Sequence, residues 1–294
     1  MIEPIKRSGF PLPPRGWPLV ALLAVFILAG LIGHDPWKND DAVTIGVVAD
    51  MLQRGHWLAP HLADRPYPDA PLYYWSAAVT GFAFSWLLPL HDAIRLASGF
   101  WVALILFLLY RAGREWHCNE EAPHEFAIAS VLAMAGCLGF LVHAHEAQPM
   151  LVALAGHAAA YWALALLPRK PQRAAIIFGL GLGLGFLGNG LAAMLTLLPV
   201  ALIALWLAKD RTQSGSSLLL GALLGAAIAT PWPILLAAFQ ADYFAVWLAS
   251  ELVQFGKPAN IAHTAWTYVS MVPWFAWPAL PLAVYCLARH PSLP

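Results

Sequence analysis

Long apolar stretches separated by short polar connections dominate this chain. Most of them approach the roughly 20 residues that an α-helix needs to cross a bilayer core. Backbone amides in lipid must be paired within their own segment, which favours helices. The pattern therefore predicts an all-α, polytopic membrane helical bundle that forms a single membrane domain over residues 1–294. The apolar stretches lie near residues 17–33, 72–90, 94–110, 126–143, 149–167, 174–188, 191–208, 216–239 and 266–288.

The positions of lysine and arginine predict which stretches cross, because positive charges accumulate in cytoplasmic loops. With a cytoplasmic N-terminus and all nine stretches crossing, 5 of the 16 basic residues lie inside. If residues 72–90 instead lie at the outer interface, 11 of the 16 do. That segment is also rich in interfacial aromatic residues. We therefore expect about eight crossing spans, an interfacial segment at 72–90, and a multi-pass protein of the cell inner membrane.

Composition supports a membrane protein and excludes one class of partner. Charged residues make up 11% of the chain and hydrophobic residues 60%, whereas soluble proteins carry about 25% charged residues. The formal net charge is zero, so no basic stripe is available to neutralise nucleic-acid phosphates. We expect membrane lipids as surroundings and no nucleic-acid partner.

Acidic residues collect in the connection after the first apolar stretch. Residues 34–71 hold six of the chain's 16 carboxylates. The expected topology places this acidic loop, the stretch 143–148, the turn 188–190 and a second long loop, 240–265, on one outer face. Such convergence of polar groups is typical of a ligand site. The substrate-binding candidates from this face are Arg65, Asp69, Tyr74, Glu146, Gln148, Asn189 and Lys257.

The adjacent carboxylates Asp40 and Asp41 are the catalytic candidates. They precede a stretch, residues 42–53, whose apolar positions predict an amphipathic helix. Two adjacent carboxylates raise each other's proton affinity, which suits one of them to act as a general base. Aspartate at a helix start also caps free backbone amides, and this simpler role stays open.

The sequence does not favour a metal centre. The run from His143 to Glu146 contains two histidines and a carboxylate, but side chains two positions apart on a helix diverge. No second group with metal-ligand spacing appears in the sequence. We expect no cofactor, with a divalent metal as the open alternative.

The order of motifs resembles the dolichyl-phosphate-mannose protein mannosyltransferase family, which includes the bacterial 4-amino-4-deoxy-arabinose transferases that modify lipid A. The family pattern joins an acidic pair, a helix that ends in Met-Leu, a Gly-x-Trp and a Pro-Leu-x-Tyr-Trp stretch. The resemblance covers almost the whole chain. The matching residues are Asp40-Asp41, Met51-Leu52, Gly55-His56-Trp57, Pro60, Arg65 through Pro71-Leu72-Tyr73-Tyr74-Trp75, Arg95-Leu96, and the stretches 184–190 and 266–274.

This resemblance implies a GT-C glycosyltransferase, similar to glycosyltransferase family 39. Such an enzyme moves a sugar from a polyprenyl-phosphate-linked donor to a lipid, protein or glycan acceptor on the outer face. It implies that Asp40 is the base that deprotonates the acceptor hydroxyl, and that Asp41 and Glu146 shape the site. Arg65 or Lys257 would hold the carrier phosphate.

Several features depart from the family pattern. Val43-Thr44 stands in place of Arg-Tyr, Asp69-Ala70 lies where a loop lysine is expected, and Asn189 replaces the turn lysine. Family members are also usually longer, so we expect this chain to lack further C-terminal spans or a domain. Two alternatives stay open: a transporter or flippase for a lipid-linked substrate, and a non-catalytic relative. Transporters often show internal repeats and midspan charges, which this sequence does not.

Overall fold

The computed structural model describes residues 16–256 and 261–289, which form a helical bundle with one small antiparallel hairpin. The hairpin pairs β1 (His61–Leu62) with β2 (Arg65–Pro66) inside the acidic loop. Lys257 lies outside the described residues. The helices are α1 (Trp17–Leu28), α2 (Asn39–Arg54), α3 (Leu72–Phe84), α4 (Leu90–Trp116), α5 (Pro123–Gly136), α6 (Leu138–His143), α7 (Met150–Leu166), α8 (Pro171–Leu207), α9 (Arg211–Ala229), α10 (Pro231–Phe239), α11 (Ala241–Gly256), α12 (Ile261–Phe275) and α13 (Ala279–Arg289).

Three of the predicted apolar stretches each form two successive helices. The stretch 126–143 is interrupted at Cys137, whose backbone is extended between α5 and α6. Pro231 begins α10 directly after α9, in the first-turn position where its missing N–H is tolerated. The last stretch forms α12 and α13, whose axes bend by 93°.

Helix α11 differs from the sequence prediction, which treated residues 240–265 as a loop. Residues 241–256 are helical. Tyr243 and Trp247 are buried in a cluster with Trp232 of α10 and Phe186 of α8. The loop prediction was wrong because this short amphipathic helix is stabilised by packing against distant segments rather than by its own length.

Helix α8 is two helices joined at a sharp turn, as the two separate stretches 174–188 and 191–208 predicted. Asn189 has φ −156° and Gly190 has φ 55° and ψ −142°, a conformation that glycine tolerates. After the turn the chain folds back on itself. The evidence is that Leu197 Cδ1 lies 2.9 Å from the position that a Cβ of Gly185 would occupy. Asn189 therefore lies at the tip of a helical hairpin.

Small residues let α7, α8 and α9 approach closely. A Cβ on Gly156 of α7 would lie 2.6 Å from the backbone nitrogen of Gly185. On the neighbouring face, a Cβ on Gly179 would lie 2.8 Å from the carbonyl oxygen of Gly221 in α9. Close backbone approach at small residues is a common basis of helix association in membranes. These contacts hold the α8 hairpin between α7 and α9.

Gly156→Ala is expected to destabilise the protein by about 1–3 kcal/mol, the usual cost of overpacking a tight contact. The added methyl group meets backbone atoms of α8, which cannot move aside as a flexible side chain can. The thermal midpoint in detergent measures the effect. Gly215→Ala is the matched control, because its Cβ would meet Leu205 Cδ1 at an ordinary 3.6 Å. Equal shifts for the two variants would contradict the packing argument.

Several helices have the length and composition of membrane spans. Three pass by these criteria, namely α4, α8 and the continuous segment formed by α9 and α10, and the bent pair α12–α13 makes up to four. The expected count of about eight crossings stays a prediction. Helix α3 has 13 residues, about 20 Å, which is shorter than a bilayer core of about 30 Å. This length agrees with an interfacial position for the segment.

Candidate active site

Asp40 lies in the first turn of α2 and faces open space. Its side chain is exposed and has no hydrogen-bond or ion-pair partner among the residues that the structure describes. It lines two cavities that meet beside it. We call these the polar chamber, of about 210 Å³, and the apolar cavity, of about 670 Å³. Asp40 is therefore accessible to a bound molecule, and no capping bond within the described residues occupies its carboxylate.

The polar chamber brings together side chains from separate connections. Asp40 and Thr44 come from α2, whereas Asp69 and Tyr74 come from the end of the acidic loop and the start of α3. The predicted convergence of the acidic loop, the stretch 143–148 and the α8 turn is thus observed here. Its lining residues are Asp40, Thr44, Tyr67, Asp69, Tyr74, Gln148, Pro149, Met150, Gly188 and Asn189.

The apolar cavity extends from Asp40 between α5, α6, α7 and the α8 hairpin. Most of its wall is hydrocarbon, with a few polar groups: Asp40, His143, Gln148, His157, Asn189 and Thr196. The two ring nitrogens of His157 are both engaged, Nδ1 2.7 Å from the Ala153 oxygen and Nε2 2.7 Å from Thr196 Oγ1. A long apolar wall that ends at a carboxylate suits an amphipathic ligand.

Asp41 is placed very differently from Asp40, although the two are adjacent. Its carboxylate and the Arg95 guanidinium are both 0% exposed. Arg95 donates Nε to Oδ1 at 3.1 Å and Nη2 to Oδ2 at 2.6 Å, and the Ala147 N–H donates to Oδ1 at 2.7 Å. Burial alone would raise the pKa of Asp41, but the hydrogen bonds from Arg95 and Ala147 hold this pKa below its usual value.

This geometry corrects the expectation that the two carboxylates raise each other's proton affinity. The side chains of Asp40 and Asp41 diverge, and the pKa of Asp41 is lowered. Asp41 instead links α2 to α4 and to the connection before α7 through Arg95 and Ala147. Since Gln148 follows Ala147 directly, this link fixes the position of a residue that lines both cavities.

Arg95 extends the same buried network to the start of the acidic loop. Its Nη1 donates to the His34 carbonyl at 2.7 Å and to Asp92 Oδ1 at 3.2 Å. Asp92 Oδ2 in turn accepts the Gly33 N–H at 3.0 Å. The network therefore fixes both ends of the segment that carries Asp40.

Asp69 is a hydrogen-bonded carboxylate of the polar chamber. The Tyr74 hydroxyl donates to Oδ2 at 2.7 Å, and the Ala70 N–H donates to Oδ1 at 2.8 Å. Burial raises the pKa of Asp69, and these two hydrogen bonds partly offset the rise. The Tyr243 hydroxyl donates to the Tyr67 carbonyl at 2.6 Å, so α11 supports this wall of the chamber.

Glu146 lies behind the site and does not line either cavity. It is 4% exposed and forms an ion pair with Lys38. His143 Nδ1 lies 3.6 Å from Oε2, an oxygen that has no hydrogen-bond partner among the described residues. The sequence analysis did not predict a role for Lys38, although its position two residues before Asp40 could have indicated one.

Glu251 of α11 is a second residue that the sequence reading missed. It is 5% exposed, and its Oε2 accepts the Leu191 N–H at 2.8 Å, directly after the α8 turn. Burial raises the pKa of Glu251, the Leu191 bond lowers it, and the negative charge of Asp69 raises it further. Glu251 therefore completes the turn that carries Asn189.

The structure does not bring every predicted site residue to the cavities. Arg65 is exposed on β2 and lines neither the polar chamber nor the apolar cavity. Asp69, Tyr74, Gln148 and Asn189 do line the polar chamber. Within residues 16–256 and 261–289, no three His, Cys, Asp or Glu side chains are grouped so as to hold a metal ion.

Comparison with solved structures defines the class of this fold. The chain is similar to the crystal structure of ArnT from Cupriavidus metallidurans in the apo state, with a TM-score of 0.62 and 17% sequence identity. The likeness covers 79% of this chain and 43% of that one. The chain thus has the membrane helical fold of the GT-C glycosyltransferases, and it is a membrane-embedded, multi-pass protein.

Curated relatives agree with this class, and they confirm the resemblance stated from the sequence. Two are named undecaprenyl phosphate-α-4-amino-4-deoxy-L-arabinose arabinosyl transferase. The protein from Pectobacterium atrosepticum is 27% identical over 88% of this chain, and that from Photorhabdus laumondii is 28% identical over 87%. The chain spans about half the length of these relatives, 48% in both cases. No family model matches the chain.

Proposed function

We propose that this chain forms the donor site and catalytic base of an integral-membrane glycosyltransferase. The reaction moves a sugar from a polyprenyl-phosphate-linked donor to an acceptor hydroxyl. One observation carries the proposal: the Asp40 carboxylate, which has no partner among the described residues, lies where a polar chamber meets a larger apolar cavity. A lipid-linked sugar has the same division, because its isoprenoid chain is apolar and its sugar is polar.

In the proposed reaction, Asp40 accepts the proton of the acceptor hydroxyl. The acceptor oxygen then bonds to the anomeric carbon of the sugar as the bond from that carbon to the phosphate oxygen breaks. Polyprenyl phosphate leaves with the electron pair, so no nucleotide or redox partner is required. A positioned general base typically contributes 10²- to 10⁴-fold to such a step.

In this proposal, uncharged side chains that donate hydrogen bonds help to hold the carrier phosphate. Gln148 and Asn189 line both cavities, and His143 lines the apolar cavity near them. Asn189 lies at the turn where the family pattern has a lysine, and its amide N–H group donates to phosphate oxygen without a charge. Arg65, an exposed cation of the acidic loop, stays in the proposal as a further partner of the phosphate, and Lys257, which lies outside the described residues, stays as the alternative cation.

Asp41, Glu146 and their partners act as positioning residues in this proposal. Asp41 and Arg95 fix the backbone on both sides of the site. Glu146 with Lys38 anchors the chain that leads into Asp40. Asp69 and Tyr74 present a hydrogen-bonded pair to the sugar in the polar chamber. We further propose an inner-membrane location with a cytoplasmic N-terminus and the polar chamber on the outer side, supported by the distribution of basic residues.

The donor is tested with the full chain in bacterial membranes. A radiolabelled undecaprenyl-phosphate sugar, first the 4-amino-4-deoxy-L-arabinose derivative that the relatives' name contains, is incubated with lipid, protein and glycan acceptors. The wild type is expected to move label from the carrier to one acceptor class. Gln148→Ala is expected to weaken binding of the lipid-linked sugar at least several-fold, because it removes a hydrogen-bonding amide that lines both cavities.

Arg65→Ala is the comparison variant for this assay, because its side chain lies outside both cavities. Loss of binding in Arg65→Ala but not in Gln148→Ala would assign the phosphate to Arg65 instead of to the cavities. Bound donor with no label transfer would favour the non-catalytic relative. Movement of intact donor between leaflets would favour the flippase.

A further inference from the structure

A basic cleft lies where α7 ends and α8 begins, remote from Asp40. We propose that this cleft binds the phosphate headgroup of an anionic membrane phospholipid. The proposal concerns a second site and does not rest on the glycosyltransferase reaction. The main cavity, of about 700 Å³, is lined by Arg169, Lys170, Arg173, Gln213, Ser216 and Ser217, together with Pro171 and Gln172.

Two smaller cavities, each of about 300 Å³, adjoin the main one through shared walls that include Lys170. They add Arg111 and Arg114 to the lining. The three linings together contain five cationic side chains against one carboxylate, Glu115. This imbalance gives the cleft a strong preference for anions.

Glu115 neutralises only part of this charge. Its carboxylate lies 3.0 Å from Lys170 Nζ and 3.4 Å from Arg169 Nη2. Arg114 and Arg173 are exposed and have no ion-pair partner in the described part of the chain. The Arg111 guanidinium lies over the Trp162 ring, 4.6 Å from its centroid, which fixes its plane. At least two cations therefore remain available to a ligand.

Uncharged donors complete the cleft. Ser217 is 8% exposed, lines the main cavity, and has no hydrogen-bond partner within the described ranges. The N-terminus of α8 opens into the same cavity, with no side-chain cap at Lys170 and no acidic residue in its first turn. Free backbone N–H groups at a helix start favour phosphate. The hydroxyl of Ser217, which faces this cavity from a residue that is 8% exposed, is a second, independent donor for the same ligand.

The apolar part of the wall favours a lipid over a free phosphate. One of the smaller cavities joins Arg111 and Arg173 to Trp162, Leu166 and the isoleucines at 176 and 177. Ile176 is 54% exposed beside these cations. An inorganic anion needs no such surface, whereas the first methylenes of an acyl chain do. Guanidinium groups above exposed apolar side chains match a phosphodiester above its acyl chains.

The position along α8 agrees with this ligand. The helix runs from Pro171 to the turn at Asn189, a rise of about 27 Å at 1.5 Å per residue. A bilayer core is about 30 Å thick. The basic cleft and the α8 turn are therefore separated by about one membrane thickness, which places the cleft at headgroup depth.

Native mass spectrometry of the delipidated full chain tests the site. The probes are phosphatidylglycerol, phosphatidylcholine with the same acyl chains, and inorganic phosphate as a competitor. Phosphatidylglycerol is expected to stay bound, phosphatidylcholine to dissociate, and phosphate at equal concentration not to displace the lipid. Arg173→Gln is expected to lower the phosphatidylglycerol affinity about tenfold, as for one charge-assisted hydrogen bond.

Arg211→Gln is the matched control, because it removes one exposed cation at the same end of the bundle but outside the cleft lining. Its affinity for phosphatidylglycerol is expected to equal that of the wild type. Equal losses in both variants, equal retention of the two lipids, or displacement by inorganic phosphate would each overturn the proposal. Since Arg173 is exposed and has no ion-pair partner among the described residues, its replacement is expected to leave the fold unchanged, and the thermal midpoint checks this.

Discussion

Replacing Asp40 by asparagine is expected to lower sugar transfer by about 10²- to 10⁴-fold, the usual contribution of a positioned general base. The side chain is exposed and without a partner in the described part of the chain, so the fold is expected to persist. A helix cap would cost only about 1 kcal/mol of stability and would not affect the rate in this way. Initial transfer rates and thermal midpoints of the same preparations separate the two roles.

Asp35→Asn is the control for this experiment. Asp35 is an exposed carboxylate of the same acidic loop, and it lines neither the polar chamber nor the apolar cavity. Its replacement changes the loop charge by the same amount and is expected to leave the transfer rate unchanged. If both variants lost activity equally, a general effect of loop charge would replace the assignment of Asp40 as the base.

Replacing Arg95 by alanine is expected to destabilise the protein by about 3–5 kcal/mol, because it leaves Asp41 buried without its partner. Both side chains are 0% exposed, so water cannot replace the lost hydrogen bonds. Chemical or thermal unfolding in one detergent measures the loss. Arg54→Ala is the comparison variant, since Arg54 is 47% exposed and water can replace its contacts with Asp64 and Asp50. Asp50 also keeps His56 as a partner, and an exposed pair contributes about 1 kcal/mol or less.

Replacing both partners, as in Asp41→Leu with Arg95→Met, is expected to recover part of the stability lost in Arg95→Ala, because no Asp41 charge is left buried. The recovery is incomplete, since the buried Asp92 still loses its bond to Arg95. The pH dependence has a defined sign. Because the pKa of Asp41 is lowered in the folded protein, its contribution is complete above its ordinary value near 3.8 and is lost as the pH falls through the lowered value. The advantage of the wild type over Arg95→Ala should therefore be constant near neutral pH and decrease in acid. An equal effect of Arg54→Ala would contradict the buried-pair argument.

The sequence predicted the helical elements well where the apolar stretch was long. The α8 turn was predicted because Asn189 and Gly190 separate two apolar stretches. The interruption at Cys137 was missed, because an apolar stretch with one extended residue has the same composition as a continuous helix. Helix α11 was missed for a different reason, since its aromatic residues are stabilised by α8 and α10, which are distant in sequence.

The site was predicted in part. Asp40, Asp69 and Asn189 were placed on one face by counting positive charges, and the structure brings them to one chamber. The pairing of Asp41 with Arg95 spans 54 positions, and no local pattern predicts which distant cation meets which carboxylate. The available signal was Arg95 itself, a charged residue that begins an otherwise apolar stretch and therefore needs a partner.

The bond between Glu251 and Leu191 has a consequence for the order in which the protein matures. The Leu191 amide follows the α8 turn, yet its acceptor lies sixty residues later on α11. Amides shielded from water need a partner, so we expect the turn to be completed only after α11 has been synthesised and has docked. The wall of the polar chamber that carries Asn189 then depends on a segment that follows it by sixty residues.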